Sequence, residues 1–405
     1  MKASGPRSRA SQGWRLDYLL LWAESIAVSL PRILHLRASN FVGGPERQLL
    51  RYAEADRNGP FQIYLGTFVE PHKRCEFLET ARLHGFKALP LPSLTIARRS
   101  ALSALVHELR SHEISLLCTH GYKADILGLL AGRLINTPIA CFLRGWTSEN
   151  RRIRFYESID RLVLPLSHKI VCLSEDQAAR LKRVPLLRTR VRIVTNAIDV
   201  PELSPDGIAK ARQSIRDLLG FPASCSLVAS AGRLSPEKGV AVFLDAVVQL
   251  VGCISNVYFV IFGEGPLRAE LELKSKRLGL SNRLRFAGFV PRLRDYLSGL
   301  DVLVNASFSE EMPNIVLEAM AAGVPVVASS VGGVAEIAGP DAGISLFSPG
   351  DAKGITEAVA TILRDPQAAK RLSERGLKRV KEAYSPERQR TQLHTLYREH
   401  LANRR

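Results

Sequence analysis

The stretch Ser307-Phe308-Ser309-Glu310-Glu311-Met312-Pro313-Asn314-Ile315-Val316-Leu317-Glu318-Ala319-Met320, continued by AAGVPVVASSVGGVAEI to Ile337, decides the fold. It leaves a short apolar run at Val302–Val304, turns into a helical pattern, and reaches a second apolar run at Val324–Ala328. Strand, loop, helix, strand is the unit of an α/β protein with a parallel sheet. Pro313 suits the first helical turn, where its missing donor would be an orphan anyway. Glu310 then falls in the loop above the strand end, and Glu318 more than a turn into the helix. Two carboxylates so spaced can face one elongated ligand at two points. Between them, the free amides of the helix start offer donors to an anion or to hydroxyls. A helix with an acidic start and an ordinary surface glutamate has the same pattern.

Outward from this stretch the alternation repeats. Apolar runs at Leu227–Ala231, Val257–Phe262 and Leu284–Ala287 precede helical patterns at Gly239–Leu250, Leu267–Leu278 and Leu293–Ser298. An earlier block has runs at Arg32–Ala38, Gln62–Leu65, Ile114–Cys118, Ile139–Leu143, Lys169–Leu173 and Val191–Val194. Helical segments at Glu46–Ala55, Ser100–Ser111 and Ala124–Arg133 separate some of them. The pattern predicts two parallel sheets, each with helices on both faces. Thr195–Gly207, with two prolines and little periodicity, reads as the linker. The chain thus divides into a first Rossmann-like lobe over 31–195, a second over 200–385, and a last helix over 386–402 able to cross back onto the first. Ligands of such sheets lie beyond the carboxyl ends of the strands, so the loops after the strands are expected to line a cleft between the lobes.

Three more loops carry chemistry. Gly232-Arg233-Leu234-Ser235-Pro236-Glu237-Lys238-Gly239 presents an arginine fork and a lysine point charge on one turn, able to clamp a diphosphate from one side. Gly43-Gly44-Pro45-Glu46-Arg47 lets backbone approach a ligand closely at a helix start. Thr119-His120-Gly121-Tyr122-Lys123 follows a strand, so His120 is expected to reach the cleft. A solvated charged turn, a plain tight turn and a capping histidine remain the ordinary readings of these three. Gly263-Glu264-Gly265-Pro266 lacks the third glycine of the dinucleotide fingerprint.

Composition bounds the rest. The 405 residues are 46% hydrophobic and 23% charged, enough apolar material for two cores. Net charge is +17, and Arg144–Arg192 alone holds twelve Lys/Arg against five Asp/Glu. Such a basic surface fits an anionic lipid or an acidic sugar, and an ordinary solvated face has the same composition. Nucleic acid is not expected, since aromatics are 7% and no zinc finger, RNA-recognition signature or basic zipper occurs. No two of the six cysteines are close enough for a CxxC site, which predicts free, buried thiols and a reducing compartment. No HExxH, Asp-x-Asp, GxSxG or Walker loop is found, so no bound metal and no cofactor are expected. Residues 1–30 form a basic extension ending in DYLLLWAESIAVSL. It is too short and too interrupted by Glu24 for a transmembrane helix.

Taken together, the quoted segments resemble glycosyltransferase family 4, of the GT-B fold: α/β, two Rossmann-like domains with parallel sheets facing across a cleft. The resemblance covers nearly all of Arg32–Leu401. SFSEEMPNIVLEAMAAGVPVVASSVGGVAEI resembles the family's Glu-x7-Glu motif with its glycine loop. GRLSPEKG, FGEGP, FAGFV, GGPER and THGYKAD agree in the expected order. The resemblance implies a retaining, metal-independent, hexosyltransferase-type enzyme. Arg233 and Lys238 would hold the donor diphosphate, with Gly44, Gly232 and Gly263 packing close by. Glu310 would bind hydroxyls of the transferred sugar, and Glu318 those of the ribose. Main-chain donors of Glu311, Met312, Pro313, Asn314 and Ile315 would reach sugar and phosphate; Phe289 and Val290 would contact the base. Gly43, His120 and Arg144 would lie on the acceptor side, and His120 would join Glu310, Arg233 and Lys238 as a catalytic group.

Three departures stand out, one of them Ala197 in place of the usual glycine of the linker motif in Thr195–Asp199. Glu311 replaces the motif's usual glycine, and Arg144 replaces a histidine, which removes a proton relay and favours an anionic acceptor. The implied partners are a nucleotide-sugar donor and a carbohydrate or lipid-linked acceptor. The implied location is cytoplasmic, peripheral on the inner face of the membrane. A sugar-nucleotide epimerase, a glycan phosphorylase and a non-catalytic nucleotide-sugar-binding relative are the rival readings.

Overall fold

The computed structural model describes residues 30–70, 72–92, 98–144 and 151–402, so the extension over 1–29 lies outside it. In the first lobe, β1 (Arg32–Arg37), β2 (Gln62–Val69), β3 (Lys87–Pro92), β4 (Ile114–His120), β5 (Ile139–Phe142), β6 (Lys169–Cys172) and β7 (Val191–Ile193) form one sheet. Its order is β3-β2-β1-β4-β5-β6-β7, with every neighbouring pair parallel. In the second, β8 (Ser226–Ala231), β9 (Val257–Phe262), β10 (Leu284–Gly288), β11 (Val302–Asn305), β12 (Val326–Ser329) and β13 (Ser345–Phe347) run in the order β10-β9-β8-β11-β12-β13, again all parallel.

These strands are near-continuous apolar runs because both faces are covered. Successive residues of β9 alternate between two cores, with Val260 and Phe262 in one and Phe259 and Ile261 in the other. Five of the six cysteines are free and buried, while Cys253 is exposed.

Three expectations need correction. The linker is helical from Pro205: a helix spans Pro205–Leu219, and the Ser204 hydroxyl accepts from Gly207 N at 3.1 Å. A serine cap followed by proline opens a helix, so the second linker proline is a start signal. The helix expected at 293–298 is two short 3₁₀ turns, Leu293–Asp295 and Leu297–Gly299. Pro313, expected in the first turn of the helix after β11, is its N-cap instead, while the helix itself begins at Asn314 as its pattern predicts.

The last helix, Pro386–Ala402, lies on the first lobe. Leu393, Leu396 and Tyr397 share a core with Leu49, Tyr52 and Phe61. Each sheet has one point where its strand order reverses, β1/β4 in the first and β8/β11 in the second. Crevices open at such points beyond the carboxyl ends. The carboxyl ends of these four strands and the loops leaving them carry Gly43-Gly44, His120, Arg233–Lys238 and Glu310.

Candidate active site

Lys238 and Glu310 meet. The Lys238 Nζ–Glu310 Oε1 distance is 2.7 Å, and the carboxylate is 9% exposed. The same oxygen accepts from Ser307 Oγ at 2.8 Å and from Asn305 Nδ2 at 3.3 Å. The two loops are tied further by Phe308 N donating to Glu237 O at 2.7 Å. Arg233 is exposed on the same turn as Lys238. Beside it, Gly232 N donates to Phe262 O and Gly263 N to Gly288 O, so the three loops after β8, β9 and β10 lie side by side. Phe289, next in sequence, is 60% exposed, and Val290 is half-buried.

The helix Asn314–Ala321 has no side-chain cap, which leaves its first amides without an intrahelical acceptor. Its start faces the first lobe. Asn314 Oδ1 accepts from Gln48 Nε2 and from Asn196 Nδ2, both at 2.9 Å, and Asn196 Nδ2 also donates to Met312 O at 3.1 Å. Gly44 approaches the same asparagine; a Cβ there would meet Asn314 Nδ2 at 2.8 Å. Gly43 caps the helix Gly44–Ala55, its amide donating to Glu46 Oε2 at 3.0 Å. Met312 and Pro313 are buried, and Ile315 is half-buried.

Glu311 turns away from Glu310 to the first lobe, where Arg180 Nη2 donates to both its carboxylate oxygens. Burial raises the Glu311 carboxyl, and Arg180 opposes the rise. Glu318 is 11% exposed, 4.0 Å from Arg47 Nη1. Burial raises it too, against the charges of Arg47, Arg51 and Arg294. It lines a cavity of about 360 Å³ with Arg51, Asp199, Arg294 and Asp295.

His120 ends β4 paired in register with Arg37. Contrary to the expectation that it would reach into the cleft, it is only 2% exposed. Arg144 Nη2 donates to its Nδ1 at 3.3 Å, and its Nε2 lies 2.9 Å from His35 Nδ1. Burial, Arg144, His35 and Arg37 all hold its imidazole well below the usual range. Arg144 itself is pushed down to about 9 by burial and by Arg37, which leaves it cationic near neutral pH. Its Nη1 donates to Asn196 Oδ1 at 3.1 Å.

The sequence reading missed His35, Gln48, Arg180 and Asn196. Gln48 carried a local signal, a polar residue on the buried face of an amphipathic helix beside Leu49 and Tyr52. The partners of His35 and Arg180 are far away in sequence, and no spacing encodes them. Among the described residues no group of three or more His, Cys, Asp or Glu is gathered as metal ligands, and no helix is long and apolar enough to cross a membrane.

Residues 42–202 match the family described as Glycosyltransferase Family 4, and residues 211–379 that described as Glycosyl transferases group 1. The chain belongs to these family 4, group 1 glycosyltransferases, enzymes of the GT-B fold. It is 29% identical over 259 residues to 2-deoxystreptamine glucosyltransferase of Streptomyces kanamyceticus, covering 60% of this chain and 66% of that protein. It is 24% identical over 317 residues to UDP-Gal:alpha-D-GlcNAc-diphosphoundecaprenol alpha-1,3-galactosyltransferase of Escherichia coli, covering 75% and 80%. The match to the lipopolysaccharide core biosynthesis glycosyltransferase LpsE of Rhizobium meliloti is 35% identical but spans 40% of this chain and 46% of that one. Among solved structures, Anabaena Alr3699/HepE in complex with UDP-glucose superposes with a TM-score of 0.79 at 21% identity, over 91% of this chain and 99% of that one. Sucrose-phosphate synthase from Thermosynechococcus elongatus gives 0.76 at 20% identity, over 92% and 100%. These two likenesses carry the fold.

Proposed function

We propose that this glycosyltransferase moves a hexose, with retention, from a nucleotide-diphosphate sugar to a carbohydrate or lipid-linked precursor of a surface glycan. The observation that carries this reading is the 2.7 Å pairing of Lys238 with Glu310, which brings the loops after β8 and β11 together at the reversal of the strand order. The diphosphate would take Lys238 and Arg233, and the helix start at Asn314 would add its amides and dipole. Negative charge develops on the departing nucleotide, and fixed cations and dipoles stabilise it most where water is excluded. Glu310, held by Ser307 and Asn305, would accept hydroxyls of the sugar, and Glu318 those of the ribose. The leaving phosphate would take the acceptor proton on the face it departs from, so His120 is not asked to relay one. In this reading no divalent ion is needed.

Lipid-linked acceptors are supported by the E. coli relative, whose name specifies a diphosphoundecaprenol acceptor. A membrane surface is supported by Leu130, Leu134, Leu162 and Leu166, exposed on neighbouring helical segments that also present Arg133 and Arg161. Juxtamembrane basic residues contribute about 1 kcal/mol each on anionic lipid.

The test is a thermal-shift screen of UDP-, GDP- and ADP-sugars. A donor at a hundred times its dissociation constant stabilises by about 2.7 kcal/mol. Transfer to a lipid-diphosphate sugar with the α-configuration kept supports the reading. Epimerised nucleotide-sugar formed without acceptor would replace it. Sedimentation with anionic vesicles that is lost at high salt tests the membrane part, and equal pelleting with neutral vesicles would remove it.

A further inference from the structure

A chain of buried polar groups runs inward from Arg144 through the first lobe. Arg144 Nη2 reaches His120 Nδ1 at 3.3 Å, His120 Nε2 reaches His35 Nδ1 at 2.9 Å, and His35 Nε2 reaches Tyr397 Oη at 2.7 Å. The rings of Tyr397 and Tyr52 meet edge to face with centroids 6.2 Å apart, and Tyr52 Oη donates to Asp56 Oδ2 at 3.4 Å. His394 Nε2 closes the line, 2.6 Å from Asp56 Oδ1.

The direction of the chain is fixed by its end. A guanidinium has donors only, so His120 Nδ1 must accept. A neutral His120 then carries its proton on Nε2 and donates to His35 Nδ1. His35 in turn carries its proton on Nε2 and donates to Tyr397. A cationic or flipped imidazole at either position would set a donor against a donor.

We propose that His35 and Tyr397 are positioning residues: they hold His120 as its Nε2–H tautomer, and the lone pair this leaves on Nδ1 fixes the Arg144 guanidinium as a receptor for a diphosphate-class anion. Asn196 Oδ1 holds the other arm of Arg144, and the Asn196 amide reaches Met312 O and Asn314 Oδ1, so the receptor is registered against the loop that carries Glu310 and Glu311. The Arg144 Nε–H is buried without an acceptor, a donor waiting for one. Burial and the Arg144 charge, which push the His35 imidazole down to about 3, agree with two neutral rings. The receptor role rests on the glycosyltransferase reading above; the tautomer lock does not. One chemistry, a diphosphate, has two sources here, the nucleotide donor and a lipid-diphosphate acceptor.

The test uses the full chain with its nine histidines ¹⁵N-labelled in the ring. Signals are assigned by their loss in His120→Gln and His35→Gln. In the wild type, both Nδ1 atoms are expected to show the shift of a bare lone-pair nitrogen and both Nε2 atoms that of a protonated one. A protonated His120 Nδ1 overturns the proposal without any variant. Tyr397→Phe and His35→Leu should mix the tautomers and weaken inorganic pyrophosphate binding roughly tenfold, the size of one hydrogen bond to a charged group. His35→Gln, whose amide can accept from His120 and donate to Tyr397, should retain binding within about twofold. Equal losses in His35→Gln and His35→Leu count against the lock.

Pyrophosphate and UDP are then titrated while the Arg144 Nε–H proton is followed. Displacement of pyrophosphate by UDP assigns the receptor to the donor, and simultaneous binding assigns it to the acceptor. No movement with either removes the receptor role. Correct tautomers and pyrophosphate binding in a protein that transfers no sugar would sink the proposed function and leave this inference standing.

Discussion

Arg180 Nη2 donates to both carboxylate oxygens of Glu311 at 2.8 Å, joining the first lobe to the loop that carries Glu310. The residue that departs from the family's glycine therefore serves as a strut between lobes. A second tie lies close by, Glu175 N donating to Glu336 Oε2 at 2.7 Å. The first testable consequence is a coupling. Arg180 is 50% exposed, so solvent screens the pair and its coupling should be about 0.5–1 kcal/mol. A double-mutant cycle of Arg180→Ala and Glu311→Ala on UDP affinity should show the two changes to be less than additive. Full additivity would separate the pair from lobe closure.

Lys238→Met removes the cation from an almost fully buried Glu310. A fall in kcat of roughly 10²–10³ is expected, the size seen when one charge-stabilising donor is lost. Glu310→Gln keeps the shape and should lower kcat while leaving UDP affinity within a few-fold. Steady-state kinetics beside calorimetric UDP titration separates the two, and unchanged turnover in Glu310→Gln would take that residue out of the reacting set.

Gly332 has φ +47°, and a Cβ there would meet Glu310 O at 1.9 Å. Since backbone cannot move aside cheaply, Gly332→Ala should displace Glu310 and cost about 1–3 kcal/mol of strain. Reduced kcat with a lowered Tm is the expected outcome. A Tm equal to wild type would show that the loop relaxes freely.

Asp125 is buried beside Asp160. Burial first, and the Asp160 charge second, push its carboxyl from 3.8 up to about 8. The folded chain then holds this proton more tightly than the unfolded chain. The contribution of this group to stability is full below about pH 4 and is lost as pH rises toward 8. Urea unfolding at pH 6 and pH 8.5 should show the loss, and Asp125→Asn should flatten the slope. An unchanged slope would place the pH dependence elsewhere.

Periodicity made both sheets legible because central strands buried on two faces must be apolar throughout. It failed at one edge of each sheet, β3 and β13, while the opposite edges β7 and β10 still read as apolar runs. Lys87–Pro92 (KALPLP) holds two prolines and reads against a strand, yet β3 is the last strand of its sheet, where a missing donor is tolerated. The three residues of β13, at the edge of the other sheet, are too few for any period. In the site, local loops revealed Lys238, Glu310 and Gly44 because a turn and a helix start are written in neighbouring residues. His35 lies inside an apolar run, and its hydrogen-bond partners are 85 and 362 positions away. Only folding brings them together. Glu311 was visible as a departure, but its direction was set by Arg180, 131 positions upstream.

The final helix has a consequence for how the molecule comes into being. Because Leu393, Leu396 and Tyr397 complete a core whose other members are encoded from Ile33 onward, the first lobe leaves the ribosome unfinished and must wait for the second to be translated. A chimera that exchanges lobes at the linker would therefore have to carry its own tail with its own head, or be born with an open seam.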